Sequence, residues 1–332
     1  MGKNDHQEGC GQIAIFTLTS GGNQLAKNIA PQLKADHFEC RGMLRKVVNQ
    51  AWPQYDALIF IMAAGIVVRT LAPLLGDKRS DPAVVVMDEQ GRYAISLLSG
   101  HLGGANELAR RLAALTHGQA VITTASDVLE RTPLDLWARE LGLVTTDPAA
   151  MTRAMGTLVN NGSVNVFSDY TLPEVPADFV ITSDPGAADM VISCRSSAPA
   201  GTLLLHPRIL VVGIGCNRGT AASRIEEAVR GTLAQHGLAM AAVSRIATID
   251  LKADEQGLLE FAHKKGYGVD FFHRDRLNEV KNVTRSQVVM RAVGAQGVAE
   301  PAAILGAGHG KLVVRKEKWT DVTVAVAEAA WP

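Results

Sequence analysis

Four times along the chain an apolar run of strand character ends in a glycine turn and gives way to a segment with helical spacing. The turns are Ser20-Gly21-Gly22-Asn23, Ala63-Ala64-Gly65, Gly100-His101-Leu102-Gly103-Gly104 and Gly213-Ile214-Gly215-Cys216-Asn217-Arg218-Gly219. Strands that alternate with helices predict layers of helix on a largely parallel sheet. The first unit opens with a strand over 12–18 and a helix over 23–33 that sets Leu25, Ile29 and Leu33 on one face. Further elements are expected at 37–40, 43–49, 57–62, 66–74, 83–87 and 93–98, the last leading into the third glycine turn and its helix. From about residue 133 the texture changes to short strands, at 163–167, 179–182 and 190–193, among Asp, Pro, Gly and Ser. A new unit begins at Arg208, with an apolar strand, a helix carrying Ile225, Val229 and Leu233, strands over 246–250 and 268–272, and two closing strands over 311–314 and 321–326. The expected fold is therefore α/β and multi-domain: residues 1–132, a smaller α/β middle domain over 133–207, and 208–332.

Thirty-three basic and thirty-three acidic residues cancel, which argues against a nucleic-acid binder working through a broad basic field. An anionic ligand must be met by individually placed Arg and Lys. Cys10, Cys40, Cys194 and Cys216 form no CxxC pair, so neither a disulfide framework nor a zinc knuckle is indicated, and a reduced cytoplasmic setting is expected. The first residues lack the apolar core of a signal peptide. The most apolar run, 57–68, meets Arg69 after twelve residues, short of the roughly 20 that a membrane span requires.

A glycine turn before a helix leaves amide N–H groups at the positive end of the helix dipole, a natural socket for carboxylate or phosphate. The alternative is that each glycine serves a tight turn only. The fourth turn lacks the GxGxxG spacing and the later acid of a dinucleotide fold, so a nicotinamide oxidoreductase is a weak alternative; GxxxxGK[ST] and GxSxG are absent. His101, between glycines, suits proton transfer, or serves as a helix-entry histidine bonded to a carbonyl. Asn106 and Glu107 fall in the first helical turn, where Glu107 either orients His101 or complements the dipole. His117 reads as a C-terminal dipole partner and His309 as a turn residue, while His6, His37, His236 and His263 read as surface or packing residues. Arg69 and Arg218 either pair with ligand carboxylates or make surface ion pairs; Lys78 and Arg79 are expected in solvent. Glu300 is either a cap-like acid or a second site carboxylate. Nothing has the spacing of a metal site.

Ala63-Ala-Gly-Ile-Val-Val-Arg69, Asp81-Pro-Ala-Val-Val-Val-Met-Asp88 and Leu97-Leu-Ser-Gly-His-Leu-Gly-Gly-Ala-Asn-Glu-Leu108 resemble the N-terminal region of the cobalt-precorrin-5A hydrolase family of anaerobic cobalamin biosynthesis. Gly213 to Gly219, Val298-Ala-Glu300 and the two closing strands resemble its C-terminal domain. The resemblance implies opening of the δ-lactone of a cobalt-containing tetrapyrrole and loss of acetaldehyde, with the cobalt carried by the substrate and no cofactor in the protein. A non-catalytic carrier of tetrapyrrole intermediates is the alternative. On this reading His101, with Glu107 or Glu300, moves protons, and N–H groups of Gly103 and Gly104 meet the oxyanion. Gly21, Gly22, Gly65, Arg69, Gly100, Gly103, Gly104, Asn106, Gly213, Gly215, Asn217 and Arg218 are the expected substrate contacts. The implied partners are the tetrapyrrole and, as candidates, neighbouring enzymes of the pathway, with neither nucleic acid nor membrane.

Overall fold

The computed structural model describes residues 11–77 and 80–331, so His6, Cys10, Lys78 and Arg79 lie outside the described residues. The chain divides into two compact units, Met1–Leu136 and Trp137–Pro332.

The first unit runs β1 (Ile13–Thr17), α1 (Ser20–Leu33), β2 (Asp36–Glu39), α2 (Leu44–Ala51), β3 (Ala57–Ile61), α3 (Ala64–Leu71), β4 (Ala83–Met87), β5 (Tyr93–Leu98), α4 (Ala105–Thr116), β6 (Gln119–Val121) and the short α5 (Ala125–Val128) before α6 (Leu134–Glu140) begins. The sheet order is β2-β1-β3-β4-β5-β6. β1, β3 and β4 are apolar almost throughout because both faces of the sheet are covered. Their side chains alternate between the two faces. Ile15, Ile59, Ile61 and Val85 meet Ile29, Leu33 and Leu112 from α1 and α4. Phe16, Phe60, Val84 and Val86 meet Val48, Val67 and Leu71 from α2 and α3.

The sheet is largely parallel, as expected, with one reversal. β2, β1, β3 and β4 are parallel, but β5 runs antiparallel to β4 and carries β6 with it. The third glycine turn therefore leaves the sheet at the rim where β4 begins: Leu98 pairs with Val84, and Ser99 Oγ donates to the Asp81 carbonyl at 2.9 Å. The first two glycine turns follow β1 and β3 and leave at the other rim. Strands of five or six residues put the rims roughly 17–20 Å apart.

The second unit holds β7 (Leu143–Val144), α7 (Pro148–Asn161), β8 (Val164–Ser168), β9 (Phe179–Ile181), β10 (Met190–Ile192) and β11 (Leu203–Pro207), ordered β7-β11-β10-β8-β9 with only β7 antiparallel. α7 was not expected from sequence; Asp147 caps it by accepting from Ala150 N at 2.9 Å, and Gly162, at φ 80°, ends it. β12 (Leu210–Cys216), α8 (Ala222–Gln235), β13 (Val243–Ile249), α9 (Gln256–Lys265), β14 (Gly268–Phe272), α10 (Arg274–Glu279), α11 (Gln287–Val293), α12 (Ala299–Gly306), β15 (Lys311–Trp319) and β16 (Val322–Glu328) follow. Their sheet is ordered β14-β13-β12-β16-β15, with β16 and β15 forming an antiparallel hairpin. Ile225, Val229 and Leu233 are buried as the helical spacing predicts. Among the described residues no helix is long and apolar enough to cross a membrane.

Candidate functional site

Between β5 and α4 the chain reverses through two left-handed residues, Ser99 at φ 56° and Gly104 at φ 86°. Gly104 N donates to His101 O at 2.9 Å, Ala105 N to Ser99 O at 3.2 Å and Asn106 N to Gly100 O at 3.0 Å, which closes the loop. A Cβ on Gly100 would come within 2.8 Å of Asn106 Oδ1, and one on Gly103 within 2.7 Å of the Ser99 carbonyl. The glycines are needed because the loop folds tightly on itself. Gly104 spends its N–H on that turn, whereas Gly103 N has no partner among the described residues.

The loop delivers His101 into a cluster of polar side chains, leaving its side chain 10% exposed. Nε2 lies 2.8 Å from Asp127 Oδ2 and 3.1 Å from Ser126 Oγ, both on α5. Nδ1 faces Asp135 Oδ1 across 3.6 Å, beyond direct hydrogen bonding. Asp127 also accepts from Arg110 Nη2 at 2.5 Å and from Asn106 Nδ2 at 2.8 Å. Burial alone raises the Asp127 carboxyl; hydrogen bonds from His101 and Arg110, and their charge, outweigh it and hold the group below the usual carboxylate range. An ionised Asp127 requires a proton on Nε2, so Nδ1 is the ring nitrogen left to take or give one. Behind the cluster Arg131 N closes α5 on Ser126 O at 2.7 Å, and Arg131 Nε is enclosed without a hydrogen-bond partner among the described residues.

Asn106 is 3% exposed and fully engaged: it accepts from Ser96 Oγ at 2.7 Å and donates to Thr124 and Asp127, so its work is to hold the cluster. Glu107 points into solvent, 80% exposed, with Arg110 3.5 Å away. The acids on His101 are instead Asp127 and Asp135, which sequence reading did not single out. Asn106 and Arg110 lie one helical turn apart and were a legible pair of donors; the acid they serve arrives only through the pairing of β5 with β6.

The other turns differ in what they offer. Gly21 and Gly22 lie inside the first turn of α1, where Thr19 caps by accepting from Gly22 N at 3.2 Å. Glu89, bonded to Thr19 Oγ1 at 2.7 Å, places a carboxylate oxygen 2.6 Å from where a Gly21 Cβ would stand, so the chain already presents its own anion there. Gly65 opens α3, and the Arg69 guanidinium folds back over it. All three stand on the rim opposite His101. In the second unit Gly213 and Gly215 belong to β12 rather than to a loop; a Cβ on Gly213 would overlap the Ala299 carbonyl of α12, and one on Gly215 would lie 2.6 Å from Thr323 Oγ1. Asn217 ties to Asp321 at 2.7 Å, Arg218 pairs with Asp254 at 2.6 Å, and Gly219 N donates to Glu255 Oε1 at 2.7 Å. This socket too is filled from within. Glu300, 1% exposed, accepts from Thr284 N, Thr284 Oγ1 and Lys316 N at 2.5, 2.9 and 2.8 Å. Although burial raises its carboxyl, those bonds hold it below the ordinary range. It ties three segments together. His117 and His309 occupy left-handed turn positions, at φ 53° and 64°.

The chain is similar to known proteins along most of its length. Three family models match in chain order: Cobalamin synthesis G N-terminal over residues 46–127, Cobalamin biosynthesis central region over 132–207, and Cobalamin synthesis G C-terminus over 210–327. A cobalt-precorrin-5A hydrolase of Priestia megaterium is 35% identical over 356 residues, spanning 96% of this chain and 95% of that protein. The protein of the same description from Salmonella typhimurium is 35% identical over 343 residues, spanning 95% and 97%. Among solved structures, a cobalamin biosynthesis protein G homolog from Sulfolobus solfataricus is 21% identical, covers 96% of this chain and 97% of its own, and superposes with a TM-score of 0.40.

Proposed function

The chain belongs to the cobalamin synthesis G family, and from that premise we propose that it is a cobalt-precorrin-5A hydrolase, opening the δ-lactone of its substrate and releasing acetaldehyde to give cobalt-precorrin-5B. The observation that carries this reading is the 35% identity to two hydrolases of that description, extending over nearly the whole of each chain. The cobalt is cargo, held by the tetrapyrrole.

Hydrolysis of a lactone needs a base for water, donors for the developing oxyanion and a proton for the departing oxygen. In this mechanism His101 Nδ1 takes a proton from water as its oxygen adds to the lactone carbonyl, while Gly103 N–H meets the oxyanion. Collapse of the tetrahedral centre breaks the ring C–O bond, and Nδ1–H returns the proton to the leaving oxygen. The freed hydroxyethyl group then loses its hydroxyl proton to Nδ1. Its C–C bond to the macrocycle breaks, acetaldehyde departs, the electron pair enters the conjugated ring, and Nδ1–H passes its proton to solvent, which restores the neutral imidazole. Asp127 keeps the other nitrogen protonated and the ring in place, and Asp135 faces the imidazolium that forms twice in the cycle.

The test is anaerobic incubation of the purified protein with cobalt-precorrin-5A and quantitation of acetaldehyde. Release at a rate that follows enzyme concentration supports the hydrolase; binding with no release supports a carrier.

A further inference from the structure

At the rim opposite His101 the first unit has a hollow of about 620 Å³, lined by Leu18, the segment 42–46, and Ile66, Arg69 and Thr70. It lies beyond the carboxyl ends of β1, β2 and β3, where an open α/β sheet receives ligands. Its charge is one-sided: Arg45, Lys46 and Arg69 line it, no carboxylate does, and none of the three has an ion-pair partner among the described residues. Its apolar side chains are held in water, with Met43 53% and Ile66 36% exposed. Cations without counter-charges beside uncovered apolar groups match a ligand with a broad apolar body and carboxylates at its edge.

We propose that this hollow is a second tetrapyrrole site, one that holds a polycarboxylated macrocycle by its peripheral carboxylates on Arg45, Lys46 and Arg69 and its ring against Met43 and Ile66, apart from the reaction centre. The choice of ligand class rests on the hydrolase reading. That the two sites are separate rests on topology: the reversal at β5 puts His101 on the far rim, about 17–20 Å away along strands covered on both faces by helices. A flat macrocycle reacting at His101 does not reach round those helices, so the hollow takes another molecule, such as product on its way out or substrate on its way in.

The probe is uroporphyrin, a metal-free octacarboxylate, titrated against the full chain by fluorescence, with a cationic N-methylpyridyl porphyrin of the same size as the charge control. Saturable binding of uroporphyrin alone is expected, weakened more than tenfold in Arg45→Glu/Arg69→Glu and kept within twofold in His101→Gln. Both arginines are exposed, and a circular dichroism melt checks that the double variant is folded. Absence of wild-type binding, equal binding by the double variant or by the cationic porphyrin, or loss of binding in His101→Gln overturns the proposal. Turnover plays no part in this readout. A protein that binds uroporphyrin as expected but releases no acetaldehyde sinks the hydrolase and keeps the hollow; one that turns over without binding does the reverse.

Discussion

His101 Nε2 and Asp127 Oδ2 lie 2.8 Å apart although 26 residues separate them in sequence. The parallel pairing of β5 with β6 carries the acid to the histidine, and α4 adds Arg110 and Asn106 to the same carboxylate. Three side chains from two helices, α5 and α4, thus fix one imidazole. In the mechanism proposed above His101→Gln removes the proton carrier, and acetaldehyde release is expected to fall by about 10²–10⁴-fold with KM little changed. Asp127→Asn frees the ring to adopt the other tautomer and is expected to lower kcat by 10²-fold or more. Steady-state assays of both variants check this; turnover within threefold of wild type in His101→Gln removes it from the chemistry.

In the second unit His206 is 3% exposed and its Nδ1 bonds to the Ser193 carbonyl at 2.8 Å. Burial lowers its pKa, more than the hydrogen bond raises it, and burial lowers that of His37 in the same way. An unfolded histidine takes its proton near pH 6.5, the folded one at lower pH, so between those values the unfolded chain binds more protons. Stability is therefore full above pH 7 and declines as pH falls through about 6.5 toward the folded values. Urea unfolding at pH 7.5 and 5.5 should show the decline, and His206→Asn should flatten it.

Gly213 carries no Cβ because α12 packs its backbone directly on β12 at that point. Gly213→Ala forces helix and strand apart and is expected to cost about 1–3 kcal/mol, as overpacked cores do. Gly219, at φ 74° with open space around it, is expected to lose only about 1–2 kcal/mol on the same change, from backbone strain. Thermal melts of the two variants separate a packing glycine from a turn glycine.

Glu300 accepts three hydrogen bonds while enclosed. Glu300→Gln exchanges an acceptor for a donor facing Thr284 or Lys316 amides, and a loss of about 1–3 kcal/mol of stability is expected from the pairings it breaks. Chemical denaturation measures it, and an unchanged midpoint rules out the tie.

The alternation of strand and helix was legible because apolar periodicity is local: β4, β5 and β14 fall where the pattern set them. The direction of β5 was not, since an apolar run marks a strand without its direction, and the short link Asp88 to Arg92 turns the chain back as a hairpin. β15 runs on to Trp319 beyond its apolar start, because charged residues extend a strand when a partner supplies hydrogen bonds. His101 stood out in sequence by its glycines. Asp127 and Asp135 did not, since a carboxylate becomes an orienting acid only when folding brings it to an imidazole. The glycine sockets at 21–22 and 219 face Glu89 and Glu255, acids distant in sequence, and no local pattern reveals that a socket is already taken.

The reversal between β4 and β5 also bears on how such a chain can change over evolutionary time. In a wholly parallel sheet every strand-to-helix loop crowds one rim, and a longer loop must displace its neighbours. Turning one strand around opens a second rim with free space of its own. Insertions beside His101 and insertions beside Arg69 then meet different neighbours, so natural selection can reshape one end of the sheet while the other keeps its form.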